Sequence, residues 1–116
     1  TILPQSDVDG LEIMAGRDEW VRAPMMPGHF LINTADMCMR MTNGLFGSTP
    51  HRAVNESTAE RYSVPFFFSP DADVVMETVP TCKGAENPQQ YEDMAYGAYF
   101  KSRIEKNYDH QQKGAA

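Results

Sequence analysis

Across residues 1–80, short β-prone runs alternate with turn residues of explicit chemistry, and this spacing restricts the chain to an arrangement of many short strands. Strands are expected at 1–3, 11–14, 19–23, 30–33, 50–55, 61–68 and 74–77. Asp9-Gly10 and Ala15-Gly16-Arg17-Asp18 separate the first three, and Pro27-Gly28 precedes the fourth. Polar and apolar residues alternate through 19–23, so Trp20 and Val21 point to opposite faces and one of those faces must be covered. The polar turn 55–60 separates two β-prone runs, which makes 51–55 and 61–68 an expected antiparallel hairpin.

Between Asn33 and Asn43 the pattern changes. Asp36, Met37, Met39, Met41 and Thr42 precede an Asn43-Gly44 turn, which predicts a short helix capped by Thr34 or Asp36. The eight methionines suit gap-filling in a core better than ligand binding. After Pro80 the chain turns polar, 83–88 reads as a loop, and Pro88 is a candidate first helical residue. Tyr96, Phe100, Ile104 and Tyr108 then form one apolar stripe on a helix that starts near Gly97, with a frayed tail at 109–116. The expected organisation is a mainly β part at 1–80, with a loop and C-terminal helix at 81–116 packed on it.

Composition removes several classes of function. The chain has 116 residues, enough for one domain, and no apolar run approaches the roughly 20 residues that span a bilayer, so no membrane span is expected. A net charge of -6 with scattered Lys and Arg would repel a phosphate backbone, so nucleic acid is not an expected partner. Cys38 and Cys82 form no C-x-x-C and read as two free, partly buried thiols. No signal-like segment precedes the first strand, and the cytoplasm is the default location. The chain opens Thr-Ile-Leu without an initiator Met, which reads as a cut end.

Three residues carry chemistry. The neutral imidazole of His51 is a first-choice ligand for Fe(II), Zn(II) or Cu(II), but one histidine does not make a metal site. Arg61 can grip a carboxylate through two parallel hydrogen bonds, and the hydroxyl of Ser63 can donate a third. If His51 faces Pro65 in the expected hairpin, Arg61 and Ser63 share its face, about 13 and 7 Å away along the strand. Without further context, His51 reads as an ordinary strand histidine and Arg61 as the partner of a surface carboxylate such as Glu56 or Glu60. His29 and His110 read as solvated, Asp36 as a cap or turn residue, and Trp20 and Phe66 to Phe68 as packing.

The order of these residues resembles the iron and 2-oxoglutarate dependent dioxygenases of the isopenicillin N synthase-like family. The likeness extends over Thr1-Ile2-Leu3, Gly10-Leu11, Trp20, Pro27-Gly28, Asn33, Asp36, Thr42-Asn43-Gly44, Ser48-Thr49-Pro50-His51-Arg52, Arg61-Tyr62-Ser63 and Phe66 to Pro70. It implies a partial double-stranded β-helix, or jelly roll, and an oxidoreductase that uses Fe(II) and 2-oxoglutarate. His51 then matches the second histidine of a two-histidine, one-carboxylate iron triad, and Arg61 and Ser63 match the pair that binds the distal carboxylate of 2-oxoglutarate. The resemblance further implies that O2 is consumed, succinate and CO2 are released, and a C–H bond of a small-molecule substrate is oxidised.

The remaining two iron ligands should come as His-x-Asp on one strand. This chain has no His-x-Asp or His-x-Glu: His29 precedes Phe30-Leu31, His51 precedes Arg52-Ala53 and His110 precedes Gln111-Gln112. In relatives the motif lies just before the strand that here begins at Thr1, so a truncated domain is expected, inactive on its own and completed by a missing N-terminal part. No catalytic residue is assigned within the chain. The alternative is a non-catalytic β-sandwich remnant that binds a carboxylate through Arg61 and Ser63. Ala35 replaces the family's usual glycine before Asp36, a change without consequence if its φ is negative.

Overall fold

The β-prone runs pair as short antiparallel ladders in a computed structural model that describes residues 1–113, with side chains described through residue 106. The expectations for Tyr108, for His110 and for fraying of the tail concern side chains or residues outside that description. The chain divides into two compact units, one comprising residues 1–38 and 46–68 and the other residues 39–45 and 69–116.

The first unit holds five strands at positions close to those expected: β1 (Ile2–Pro4), β2 (Leu11–Met14), β3 (Trp20–Arg22), β4 (Phe30–Ile32) and β5 (His51–Ala53). β1 pairs with β4, placing Ile2 opposite Ile32 and Pro4 opposite Phe30. β2 lies between β3 and β5, so Ile13 faces Val21 on one side and His51 on the other. Because side chains alternate along a strand, Leu11, Ile13, Val21, His51 and Ala53 share one face, and Glu12, Met14, Trp20, Arg22 and Arg52 share the other. Ala23, whose N–H donates to the Leu11 carbonyl, is buried.

The second face is held by charge and an aromatic ring. Glu12 accepts from Arg52 at 2.7 Å and lies 3.8 Å from Arg22, while the Arg52 guanidinium sits 4.2 Å from the centre of the Trp20 ring. Arg22 also donates to Glu56, and that hydrogen bond holds its guanidinium above the usual arginine pKa. Trp20 is thus covered by Arg52, which is packing of the kind expected of it. The turns match their chemistry: the Ala15 N–H bonds the Glu19 carbonyl, and the His29 N–H bonds the Met26 carbonyl.

One expected element does not form. Residues 61–68 make no ladder with 51–55; β5 pairs with β2 instead, and the segment touches a strand only where Phe66 bridges Ile2 through reciprocal backbone bonds of 2.9 and 2.8 Å. Pro65 accounts for part of this, since the expected register would have placed a residue with no N–H in the ladder. The turn itself forms, closed by Asn55, whose Oδ1 accepts from the Ser57 N–H and whose Nδ2 donates to the Ala59 carbonyl.

The helix predicted between 33 and 43 is α1 (Ala35–Met41). Asn33 serves its start, accepting the Ala35 N–H on Oδ1 at 3.1 Å, in a role the sequence assigned to Thr34 or Asp36. Ala35 has φ of 37°, a left-handed conformation that favours glycine, so the alanine there is strained and the condition under which the change would be without consequence is not met.

In the second unit β6 (Val75–Met76) pairs with β7 (Met94–Ala95), and α2 (Tyr96–Lys113) follows directly. Pro88 does not start this helix. Its carbonyl, with those of Cys82 and Asn87, accepts from the side chain of Asn43, at 3.0, 3.3 and 3.3 Å. Asn43 Oδ1 in turn accepts the Gln90 N–H at 2.8 Å. Asn43 is only 2% exposed, and its φ of 53° is one that asparagine tolerates better than most residues. A residue read as turn chemistry therefore ties the whole 82–90 loop to the end of α1. Gly97 is set by close approach, because a Cβ there would lie 2.9 Å from the Ala72 Cβ. Of the methionines, Met76 is buried, Met14, Met37, Met39, Met41 and Met94 are half-buried, and Met25 and Met26 are exposed. Cys38 and Cys82 are free and half-buried.

Two substitutions test these assignments by thermal and chemical denaturation. Asn43→Ala strands the Pro88 carbonyl and the Gln90 N–H and leaves the Cys82 and Asn87 carbonyls with one donor each, and is expected to cost about 3 kcal/mol. Ala35→Gly relieves the left-handed strain and is expected to stabilise by about 1 kcal/mol.

Candidate functional site

His51 opens β5, an edge strand among the described residues, and is exposed. Its position opposite Ile13 sets it on the sheet face that carries Leu11, Ile13 and Val21, away from the charged face. Two groups reach its Nδ1: the Asn33 side-chain Nδ2 at 3.2 Å and the Thr49 carbonyl at 3.2 Å. Nε2 is the nitrogen left for a metal.

Arg61 is half-buried, and its stem lies beside Gly10, where an added Cβ would come 3.3 Å from the Arg61 Cδ. With Leu3, Gly10, Leu11 and Ala23 it lines a cavity of about 10 Å³, enough for roughly one water-sized group. Leu11, one of the residues lining that cavity, lies two positions along β2 from Ile13, the partner of His51, or about 7 Å along the strand. The hairpin from which a shared face for His51 and Arg61 was expected is not formed. Ser63 is exposed, two residues beyond Arg61.

The charges around Arg61 decide its character. Glu56 is taken by Arg22 at 2.7 Å, and Glu60 accepts the phenolic hydroxyl of Tyr62, a bond that raises the Tyr62 pKa. Both carboxylates that a surface ion pair would use are thus engaged elsewhere. The Nε of Arg61 is buried and has no hydrogen-bond partner. A buried charged donor left unmatched costs free energy that an anionic acceptor would recover. The fit to a carboxylate is therefore good on this chain's own structure. For iron the fit is partial: His51 offers one imidazole nitrogen, and no group of three His, Cys, Asp or Glu side chains that could hold a metal occurs among the described residues. His29, whose Nδ1 contacts the Pro27 carbonyl, is exposed as expected, and Asp36 lies in the first turn of α1. No helix among the described residues is long and apolar enough to cross a membrane.

An imidazole on an edge strand and an unmatched guanidinium in the same unit suit a class of proteins that grip a carboxylate beside a metal. Residues 1–70 match the sequence model of the 2OG-Fe(II) oxygenase superfamily, and the chain belongs to that family. It is 41% identical over 108 residues to the 2-oxoglutarate-Fe(II) type oxidoreductase hxnY of Emericella nidulans, an alignment covering 88% of this chain and 31% of that protein. Among solved structures, the dioxygenase for auxin oxidation of rice superposes with a TM-score of 0.81 at 26% identity, covering 91% of this chain and 37% of that one. A 2OG-Fe(II) oxygenase family protein of Caulobacter crescentus superposes with a TM-score of 0.81 at 33% identity, covering 90% and 36%. A full-length Neurospora crassa protein, solved in complex with alpha-KG, superposes with a TM-score of 0.79 at 27% identity, covering 89% and 33%. The chain thus spans 31% to 37% of the lengths of these relatives. Fe(II) and 2-oxoglutarate are the cofactor and cosubstrate of the family, as the sequence resemblance implied.

Sequence reasoning missed two neighbours of the site. Asn33 was read as the end of a strand and Gly10 as half of a turn, both within the family likeness but with no link to His51 or Arg61. Gly10 has φ of 141°, and a Cβ there would lie 2.5 Å from the Val54 carbonyl oxygen and 3.3 Å from the Arg61 Cδ. Gly10→Ala is therefore expected to destabilise by about 2 kcal/mol, while Gly47→Ala, whose Cβ would meet open space, stays within about 0.5 kcal/mol of the parent in chemical denaturation.

Proposed function

We propose that these residues form part of the jelly-roll catalytic domain of an Fe(II)- and 2-oxoglutarate-dependent oxygenase of small molecules. Arg61 and Ser63 bind the distal carboxylate of 2-oxoglutarate, and His51 contributes one iron ligand. The observation that carries the reading is the buried, unpartnered Nε of Arg61. Leu11, which lines the Arg61 cavity, lies about 7 Å along β2 from the level of His51, a distance that a short dicarboxylate spans.

The residues divide the work by chemistry. The guanidinium of Arg61 takes the carboxylate through parallel charge-assisted bonds, and the hydroxyl of Ser63 adds a donor from the neighbouring stretch of extended chain. Leu11 and Ala23 beside Arg61 keep water from that pair, which strengthens it. His51 presents Nε2 toward the far end of the keto acid. Iron, when bound, supplies the O2 chemistry that oxidises the substrate with formation of succinate and CO2. The other ligands come from polypeptide outside these 116 residues, so the chain alone holds iron weakly and does not turn over.

Titration calorimetry with 2-oxoglutarate tests the clamp independently of turnover. Arg61→Lys loses the two-pronged grip and is expected to weaken binding about tenfold or more, roughly 1.4 kcal/mol. Affinity equal to that of the parent chain would remove Arg61 from the site. The parent chain is expected to yield no succinate in the same buffer with iron added, and robust turnover would show that one imidazole suffices.

A further inference from the structure

We infer that Asn43-Gly44 is a latent modification site, which the fold withholds from cyclisation to a succinimide and which unfolding of the second unit releases. Loss of structure there is then fixed covalently, as aspartate or isoaspartate at position 43. Asn43-Gly44 is the one Asn-Gly pair of the chain. It belongs to the second unit, whereas His51 and Arg61 belong to the first, so the site is independent of the carboxylate clamp.

A glycine after asparagine leaves the next peptide nitrogen open to approach, because no Cβ stands in the way. In the reaction the Gly44 nitrogen gives up its proton and bonds to Cγ of Asn43, the Cγ–Nδ2 bond breaks, and Nδ2 leaves as ammonia. Water then opens the succinimide at either carbonyl, giving aspartate or an isoaspartate with an extra methylene in the main chain. The step needs a Gly44 N–H free to lose its proton, an Asn43 side chain free to swing over that nitrogen, and access for water.

The folded chain denies all three. The Gly44 N–H donates to the Met39 carbonyl at 2.8 Å. The Asn43 amide is held from both ends, Nδ2 by the carbonyls of Cys82, Asn87 and Pro88 and Oδ1 by the Gln90 N–H at 2.8 Å. At 2% exposure the residue is out of reach of bulk water. The same bonds make the change one-way. Aspartate at position 43 sets a carboxylate oxygen where Nδ2 faced three carbonyls, acceptor against acceptor, and isoaspartate lengthens the main chain at a residue whose φ of 53° belongs to the turn. A converted chain therefore does not rebuild the tie to the 82–90 loop.

Trypsin, cutting after Arg40 and Arg52, releases residues 41–52 as a peptide in which Asn43 is the one amide side chain. Its amide-to-acid mass gain is followed with time in mildly alkaline buffer for the native chain, for the chain held in concentrated urea and for the synthetic 41–52 peptide, each against its own zero-time sample. The peptide and the urea-unfolded chain are expected to convert at the same rate. The native chain is expected to convert about a hundredfold more slowly, because reaction waits on an opening that breaks buried hydrogen bonds. After dilution from urea, converted chains separated by their added negative charge are expected to lack the unfolding transition that unconverted chains regain, and Asn43→Asp, the reference for the aspartate product, to lack it as well. A native rate comparable to that of the peptide overturns the protection, and an unfolded chain that does not convert overturns the modification site. Converted chains that unfold as the parent does overturn its one-way character.

Discussion

The pairing of β2 with strands on both of its sides is the constraint on which the candidate site depends. Ile13 fixes the level of Val21 and His51, and alternation then sends Leu11, Ile13 and His51 to one face and Glu12, Arg22 and Arg52 to the other. A slip of one residue would exchange those sets, carrying His51 to the charged face and breaking the contacts of Glu12 with both arginines. Individual surface ion pairs contribute little, but their placement opposes that slip. The register is thus protected by a penalty on the wrong pairing as well as by burial on the right one.

From that register the site follows by elimination of partners. Arg22 is matched by Glu56 and Arg52 by Glu12, and Tyr62 occupies Glu60. Arg61 is the arginine of this unit whose buried Nε is left without an acceptor. An unmatched buried donor is unusual in a folded chain, and a role for it is best sought in a ligand that is itself an anion. Gly10 makes the arrangement possible, because any side chain at that position would meet the carbonyl of Val54, whose N–H donates to the Gly10 carbonyl.

Much of this was legible in the order of residues, and what was not has a common cause. β2 runs over the residues expected of it, the turns at 15–18 and 26–29 close where their glycines lie, and Phe100 continues the stripe begun by Tyr96, the two rings stacking at 5.9 Å. These are local matters of period and turn chemistry. The partner of β5 was not legible, because nearness in sequence favoured 61–68 whereas the apolar face of β2 offered the better match and Pro65 could not complete a ladder. Asn43 looked like a turn residue; its bonds to Cys82, Asn87, Pro88 and Gln90 depend on chain far ahead in sequence. His51, Arg61 and Ser63 stood out by their chemistry and took their roles from the family resemblance, while the contacts of Asn33 and Thr49 with His51 depend on how the strands fold together.

The most direct measurement is a crystal structure of this chain with 2-oxoglutarate bound. The account predicts one carboxylate hydrogen-bonded to Arg61, including its Nε, and to Ser63, with the keto-acid end directed along the sheet toward His51. A ligand carboxylate seated instead among Arg22 and Arg52 on the charged face, with Arg61 Nε still unpartnered, would contradict it.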